Sequence, residues 1–172
     1  MSRRFSKLFV GLSLCLAMAF LLPHCAKKGK ESAPTPDFAL KTLEGKEITL
    51  SGLKGKVVLL DFWATWCGPC RESIPHLVQL YKTYHDNGFE VIGMSVDKGE
   101  GETVRHFVKS MEIPYPVILA PEEVARNYGV TALPTTLFID KEGKVREKIV
   151  GFNATIAKEM AAKVANLTAE KP

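Results

Sequence analysis

Cysteine is scarce in this 172-residue chain, which has four: Cys15, Cys25, Cys67 and Cys70. No second pair of Cys or His stands at ligand spacing beside the last two. That excludes a structural zinc site, which takes about four protein ligands. Acidic side chains are missing from the start of the chain, where the first is Glu31. Arg3, Arg4 and Lys7 therefore inflate the formal charge of +4. Setting aside residues 1–25 takes those three from 23 basic residues and leaves 20 against 19 acidic ones, a net charge of +1. A domain so nearly neutral has no electrostatic footprint for a nucleic acid. No apolar run reaches the roughly 20 residues that span a bilayer; the stretch from Leu8 to Leu22 has 15. Internal repeats are also lacking. With 46% hydrophobic and 24% charged residues, the chain has the composition of one globular domain behind a leader.

The leader reads as an export signal, a basic start followed by a short apolar stretch. Leu21-Leu22-Pro23-His24-Cys25 resembles a bacterial lipoprotein signal, in which the cysteine is lipidated and becomes the new N-terminus. His24 stands where that signal prefers a small residue. The alternatives are an uncleaved anchor over residues 1–25, or cleavage elsewhere with Cys25 incidental. Lipidation or an uncleaved anchor tethers the domain to a bacterial membrane on its extracytoplasmic, periplasmic side, where disulfides persist. Residues 26–36 are rich in Lys, Gly, Ser and Pro and read as a flexible linker before a domain at 37–168.

Within the domain, residues 37–40 and 47–50 flank Glu44-Gly45-Lys46 and predict a small β-hairpin. Val57 to Trp63 is apolar except for Asp61, as expected of a strand buried on both faces. A helix is expected from Pro69 to His85, kinked at Pro75, then a buried strand from Phe89 to Val96. Thr103 to Met111 has helical spacing, Val117-Ile118-Leu119 reads as a strand, and Glu122 to Tyr128 as a short helix ending at Gly129. Thr135 to Ile139 and Lys144 to Val150 form a second hairpin. Thr155 to Leu167 closes the chain as an amphipathic helix with Ile156, Met160, Val164 and Leu167 on one face. Alternating β and α units with a terminal hairpin predict a three-layer α/β sandwich around a mixed sheet.

The chemistry concentrates in Asp61-Phe62-Trp63-Ala64-Thr65-Trp66-Cys67-Gly68-Pro69-Cys70. Two cysteines separated by two residues, between a buried strand and a helix, make a redox-active dithiol. A helix N-terminus presents unpaired N–H groups and a positive dipole end, so it favours the thiolate, the reactive form. About 2 kcal/mol of such preference brings an ordinary thiol near pKa 8.5 down to about 7. Cys67, at the helix terminus, is placed to attack a partner's disulfide, and Cys70, one turn inward, to resolve the mixed disulfide. Asp61 interrupts an apolar strand, so its carboxyl is expected to hold its proton toward neutral pH. It is read as an acid–base group, or else as a buried polar residue satisfying local backbone. Trp66 forms an apolar rim beside Cys67, while Trp63 belongs to the core with an edge toward the site. Gly68 and Pro69 set the turn, with Pro69 at the first helical position. His76, His85 and His106 read as packed or solvated, Met94, Met111 and Met160 as core, and Arg71 and Glu72 as a solvated helix face.

These residues resemble the thioredoxin fold. Asp61 to Cys70 is nearly the thioredoxin signature, and Leu133-Pro134-Thr135-Thr136 is similar to the loop whose proline is cis and faces the dithiol. The leader, the N-terminal hairpin and an inserted helix–strand unit, about Glu102 to Leu119, resemble the TlpA/ResA group of membrane-tethered thiol-disulfide oxidoreductases, related to the AhpC/TSA and redoxin proteins. The likeness covers about residues 34 to 168. It implies that Asp61 assists deprotonation of Cys70, and that a cis Pro134 frees the backbone of Leu133 to pair with an extended substrate segment. It also implies disulfide-bonded protein substrates, a membrane electron donor for re-reduction, and no cofactor beyond the Cys67–Cys70 disulfide. Lacking surplus apolar surface, the domain is expected to be a monomer.

Gly-Pro between the cysteines matches thioredoxin, a reductant at about −270 mV. Reduction of protein disulfides is therefore the expected direction, with cytochrome c maturation as the specific role. Departures exist: Asp61 stands where the group often has asparagine, Gly68-Pro69 lack the acidic residue of some cytochrome-maturation members, and Lys98 stands where others carry a glutamate. A disulfide oxidant or isomerase is the alternative. A peroxiredoxin-type peroxidase is a further one, although Ala64, not threonine, lies three residues before Cys67. A non-catalytic binding module conflicts with the intact Cys-Gly-Pro-Cys.

Overall fold

The computed structural model describes residues 35–171. The expected export signal, Cys25 and most of the expected linker lie outside the described residues. The first elements are strands β1 (Ala39–Lys41) and β2 (Glu47–Thr49), an antiparallel hairpin with Leu40 opposite Ile48. Both strands are shorter than expected. The chain turns between them where Gly45 takes a φ of +85°, a region that favours glycine.

A five-stranded mixed sheet follows, built from β3 (Val57–Trp63), β4 (Phe89–Ser95), β5 (Val117–Leu119), β6 (Thr135–Ile139) and β7 (Val145–Val150). Its order is β5-β4-β3-β6-β7, with β3 parallel to β4, β4 parallel to β5, and the last two strands antiparallel to their neighbours. The helices are α1 (Gly68–Tyr84), α2 (Glu102–Ser110), α3 (Glu122–Asn127) and α4 (Ala154–Ala169). Every residue of β3 is buried, Asp61 included, which is why its sequence reads as an apolar run and not as an alternation.

The pleat sends alternate β3 residues to two cores. Val57, Leu59 and Trp63 pack with Ile74, Leu77 and Leu80 of α1 and with Met160, Val164 and Leu167 of α4. Val58, Leu60 and Phe62 pack with Phe38, Ile48 and Leu50 from the hairpin side and with Ala125 and Tyr128 around α3. Each fully buried aliphatic side chain contributes about 1.5–3 kcal/mol, so the two faces together hold the sheet between its flanking layers. The sheet's two edges are managed differently. Beside β5 the hairpin closes in, with Leu43 N–H donating to Val117 O at 2.9 Å and Thr42 bridging to Ile118. The β7 edge carries exposed Arg146, Lys148 and Val150, charges that discourage edge pairing.

Two helix boundaries differ from expectation. Helix α1 begins at Gly68, so Pro69 is its second residue, and it runs through exposed Pro75 as one element. Pro75 cannot donate to the ladder, but its solvent position lets water serve the carbonyl left without a donor. Helix α4 starts earlier than Thr155, because Asn153 caps it: its side-chain oxygen accepts from Thr155 N–H and Ile156 N–H, both at 2.9 Å.

Candidate active site

Strand β3 delivers the chain to a turn at its carboxyl end, where Cys67 N–H donates to Ala64 O at 3.1 Å. Cys67 then takes an extended conformation as the N-cap of α1, and its Sγ accepts from Cys70 N–H at 3.3 Å. The two cysteines form a disulfide with Cα atoms 5.3 Å apart. Their access differs in the expected sense: Cys67 is 6% exposed and Cys70 0%. Trp66 beside them is 70% exposed. Nothing lies within 4 Å of where a Gly68 side chain would start, so the backbone around the disulfide is open to a partner.

Asp61 lies behind this pair, on the face of β3 that carries Leu59 and Trp63 toward α1. It is fully buried, and its Oδ1 accepts from Thr136 Oγ1 at 3.0 Å. Burial raises its carboxyl to about 7, against a smaller opposing effect of the Thr136 hydroxyl. The sequence reading of Asp61 as a group titrating near neutrality thus has a structural cause.

Leu133 and Pro134 leave the sheet at the same end. Thr135 pairs with Phe62, so the residues before it emerge beside the Trp66–Cys67 turn. The Leu133–Pro134 peptide is cis, Pro134 O accepts from Gly151 N–H at 2.8 Å, and Leu133 packs partly buried against the cluster holding both cysteines. Cys67, Cys70, Trp66, Gly68, Pro69, Leu133 and Pro134 therefore share one end of the sheet, over Asp61. The histidines fall elsewhere: His76 packs near Phe152, His85 against Tyr81, and His106 is exposed beside Glu102. No group of three His, Cys, Asp or Glu placed to hold a metal occurs among the described residues.

The scaffold of the turn escaped the sequence reading. Thr65 donates to Asp97 twice, from its N–H at 2.9 Å and its hydroxyl at 2.7 Å, and Ser95 Oγ donates to the same carboxylate at 2.8 Å. Arg71 is not simply a solvated residue: its Nε and Nη2 donate to Thr65 O at 2.9 and 2.8 Å. Its guanidinium lies 5.4 Å from the Phe107 ring centre, and Phe107 stacks at 5.1 Å on Trp63. Thr65 and Asp97 are 32 residues apart, and no spacing links them. They meet because the parallel register sets Trp63 opposite Ser95.

The chain is similar to known proteins over most of its length. Residues 32–148 match the model of the AhpC/TSA family. The chain is similar to a thiol-disulfide oxidoreductase ResA from Bacillus cereus, 39% identical over 155 residues that cover 87% of this chain and 89% of that one. It is 37% identical to the ResA of Bacillus subtilis over 155 residues, 87% of this chain and 86% of the other. Among solved structures, a thiol:disulfide interchange protein of the thioredoxin family from Chlorobium tepidum superposes with a TM-score of 0.71 at 34% identity, covering 80% of this chain and 97% of that one.

Proposed function

We propose that this chain, which belongs to the AhpC/TSA family and within it to the ResA-type thiol-disulfide oxidoreductases, works as a membrane-tethered reductant of protein disulfides outside the cytosol. The observation that carries the reading is the graded access of the dithiol. Cys67 caps a helix at the surface beside exposed Trp66, while Cys70 is sealed above Asp61.

In the reduced enzyme the Cys67 thiolate attacks one sulfur of a substrate disulfide. A Cys67–substrate bond forms and the first substrate thiolate leaves. Asp61, as carboxylate, takes the proton of Cys70. The Cys70 thiolate then attacks Cys67 Sγ, forms the Cys67–Cys70 disulfide seen here and expels the second substrate thiolate. Two electrons have passed to the substrate, and a membrane dithiol donor returns them to the enzyme. Trp66, Leu133 and Pro134 form the surface for the extended partner segment, Gly68 and Pro69 leave the approach open, and Cys25 is the candidate lipid anchor.

Gly-Pro between the cysteines supports the reducing direction, and an apocytochrome c disulfide is the first substrate to try. The test is the equilibrium potential against glutathione or dithiothreitol. A value below about −250 mV supports a reductant, whereas one near −120 to −180 mV makes the protein an oxidant or isomerase.

A further inference from the structure

Among the described residues, three buried polar atoms around the β3–β4 pairing have no protein partner: Asp61 Oδ2, Trp63 Nε1 and Tyr115 Oη. Buried polar groups are nearly always satisfied, so three together require an account. Gly93 brings them together. It lies directly opposite Asp61 in the β3–β4 register, and a Cβ there would stand 3.0 Å from Trp63 Nε1 and 3.3 Å from Tyr115 Cε2. The two rings thus cross the space a side chain would fill, next to the carboxyl.

Their chemistry is complementary. The indole N–H can only donate, a protonated tyrosine donates, and the carboxylate oxygen accepts. Burial first, and the Asp61 charge second, hold the Tyr115 hydroxyl well above its ordinary range, so it remains protonated. A phenylalanine would pack as well against Tyr81, whose ring centre is 5.8 Å away. The hydroxyl adds a desolvation cost and no packing, which points to a polar role.

We propose that Tyr115 is a positioning residue of the redox reaction: its hydroxyl, together with the Trp63 N–H, donates to the Asp61 carboxyl, directly or through a shared buried water, and so sets the proton affinity of the group that receives the Cys70 proton. This rests on the reading of Asp61 as that acceptor. Thr136 of β6 donates to Asp61, and the core on this face of β3 holds Cys67 at the α1 N-cap and Cys70 within α1, with only apolar side chains from α4. Arg71 is committed to Thr65, and Glu90, with Lys56 and His85, pairs three positions down the ladder.

The test compares the full chain with Tyr115→Phe, Asp61→Asn and the double variant. Carbon-13 titration of the aspartate carboxyls is followed in the oxidised form, and the pH–rate profile of insulin reduction in the reduced form. Loss of a donor to a carboxylate raises its midpoint. Tyr115→Phe is therefore expected to move Asp61 up by about half a pH unit or more and to shift the rate profile in step, with no further shift on the Asp61→Asn background. Trp63→Phe gives an independent check in the same direction. An Asp61 midpoint unchanged in Tyr115→Phe overturns the assignment while leaving Asp61 its role. A parent rate profile unchanged by Asp61→Asn removes the acceptor reading and the proposal with it.

Discussion

Thr136 Oγ1 donates to Asp61 Oδ1 at 3.0 Å across two neighbouring strands and 75 residues of sequence. The Thr136 hydroxyl opposes the effect of burial on this carboxyl. Thr136→Val keeps the shape and removes the donor, so the Asp61 midpoint should rise further above about 7, by roughly half a unit or more. Carboxyl titration by NMR reads it directly; an unmoved midpoint would show that the hydroxyl does not serve the charged form.

Stability should carry the same signature. Asp61 holds its proton up to about 7 when folded, against an ordinary value of 3.8. Between these pH values the native state binds more protons than the unfolded chain, so stability falls as pH rises and levels off above about 7. Three units correspond to an upper bound of about 4 kcal/mol. Asp61→Asn should flatten that slope and exceed the parent at pH 8 by a few kcal/mol. Urea unfolding of the oxidised proteins at pH 5 and pH 8 measures it, and parallel slopes would contradict a buried charge.

The difference in access between the cysteines separates their roles. Cys70→Ser should accumulate a covalent complex through Cys67 with a disulfide-bonded substrate, visible on a non-reducing gel. Cys67→Ser should form none and reduce insulin at the background rate. The opposite pattern would reverse the assignment.

Asp97 is expected to matter for the turn although it lies outside the redox motif. Asp97→Ala leaves the Thr65 N–H and hydroxyl and the Ser95 hydroxyl without their acceptor. The expected loss is about 2–3 kcal/mol in urea unfolding, with a smaller loss for Asp97→Asn, which keeps one acceptor oxygen.

Trp66, 70% exposed, should contribute little to stability. Trp66→Ala is expected to stay within about 0.5 kcal/mol of the parent, yet to lower kcat/KM for a protein disulfide about tenfold, the loss of one aromatic anchor. Reduction of a small aromatic disulfide should barely change, since it needs no extended docking surface. Equal losses on both substrates would place Trp66 in the chemistry and not in recognition.

Much of this architecture is written locally. The bounds of β3, β5 and β6 match the predicted ones residue for residue, because each is a short apolar or β-branched run that starts just after a charged residue or a proline: Lys56, Pro116 and Pro134. Helix ends were harder to read: Asn153 caps α4 before its apolar stripe begins, and a stripe shows where a helix packs, not where it starts. Arg71 reads as a solvated residue in the sequence because its acceptor, the Thr65 carbonyl, belongs to a turn whose shape depends on Asp97. Tyr115 gave no signal beyond an aromatic between two prolines.

The dithiol at a strand-to-helix junction, the interrupting carboxylate, the layered α/β class and the likeness to membrane-tethered oxidoreductases are all legible in the chain alone. Each follows from short-range periodicity or from a motif of ten contiguous residues. Their surroundings come from the folded arrangement: Thr136 on Asp61, Asp97 under Thr65, and Tyr115 with Trp63 over Gly93. These contacts join strands and loops from 22 to 75 residues apart. Sheet register and pleat set them, and neither is visible until the strands have paired.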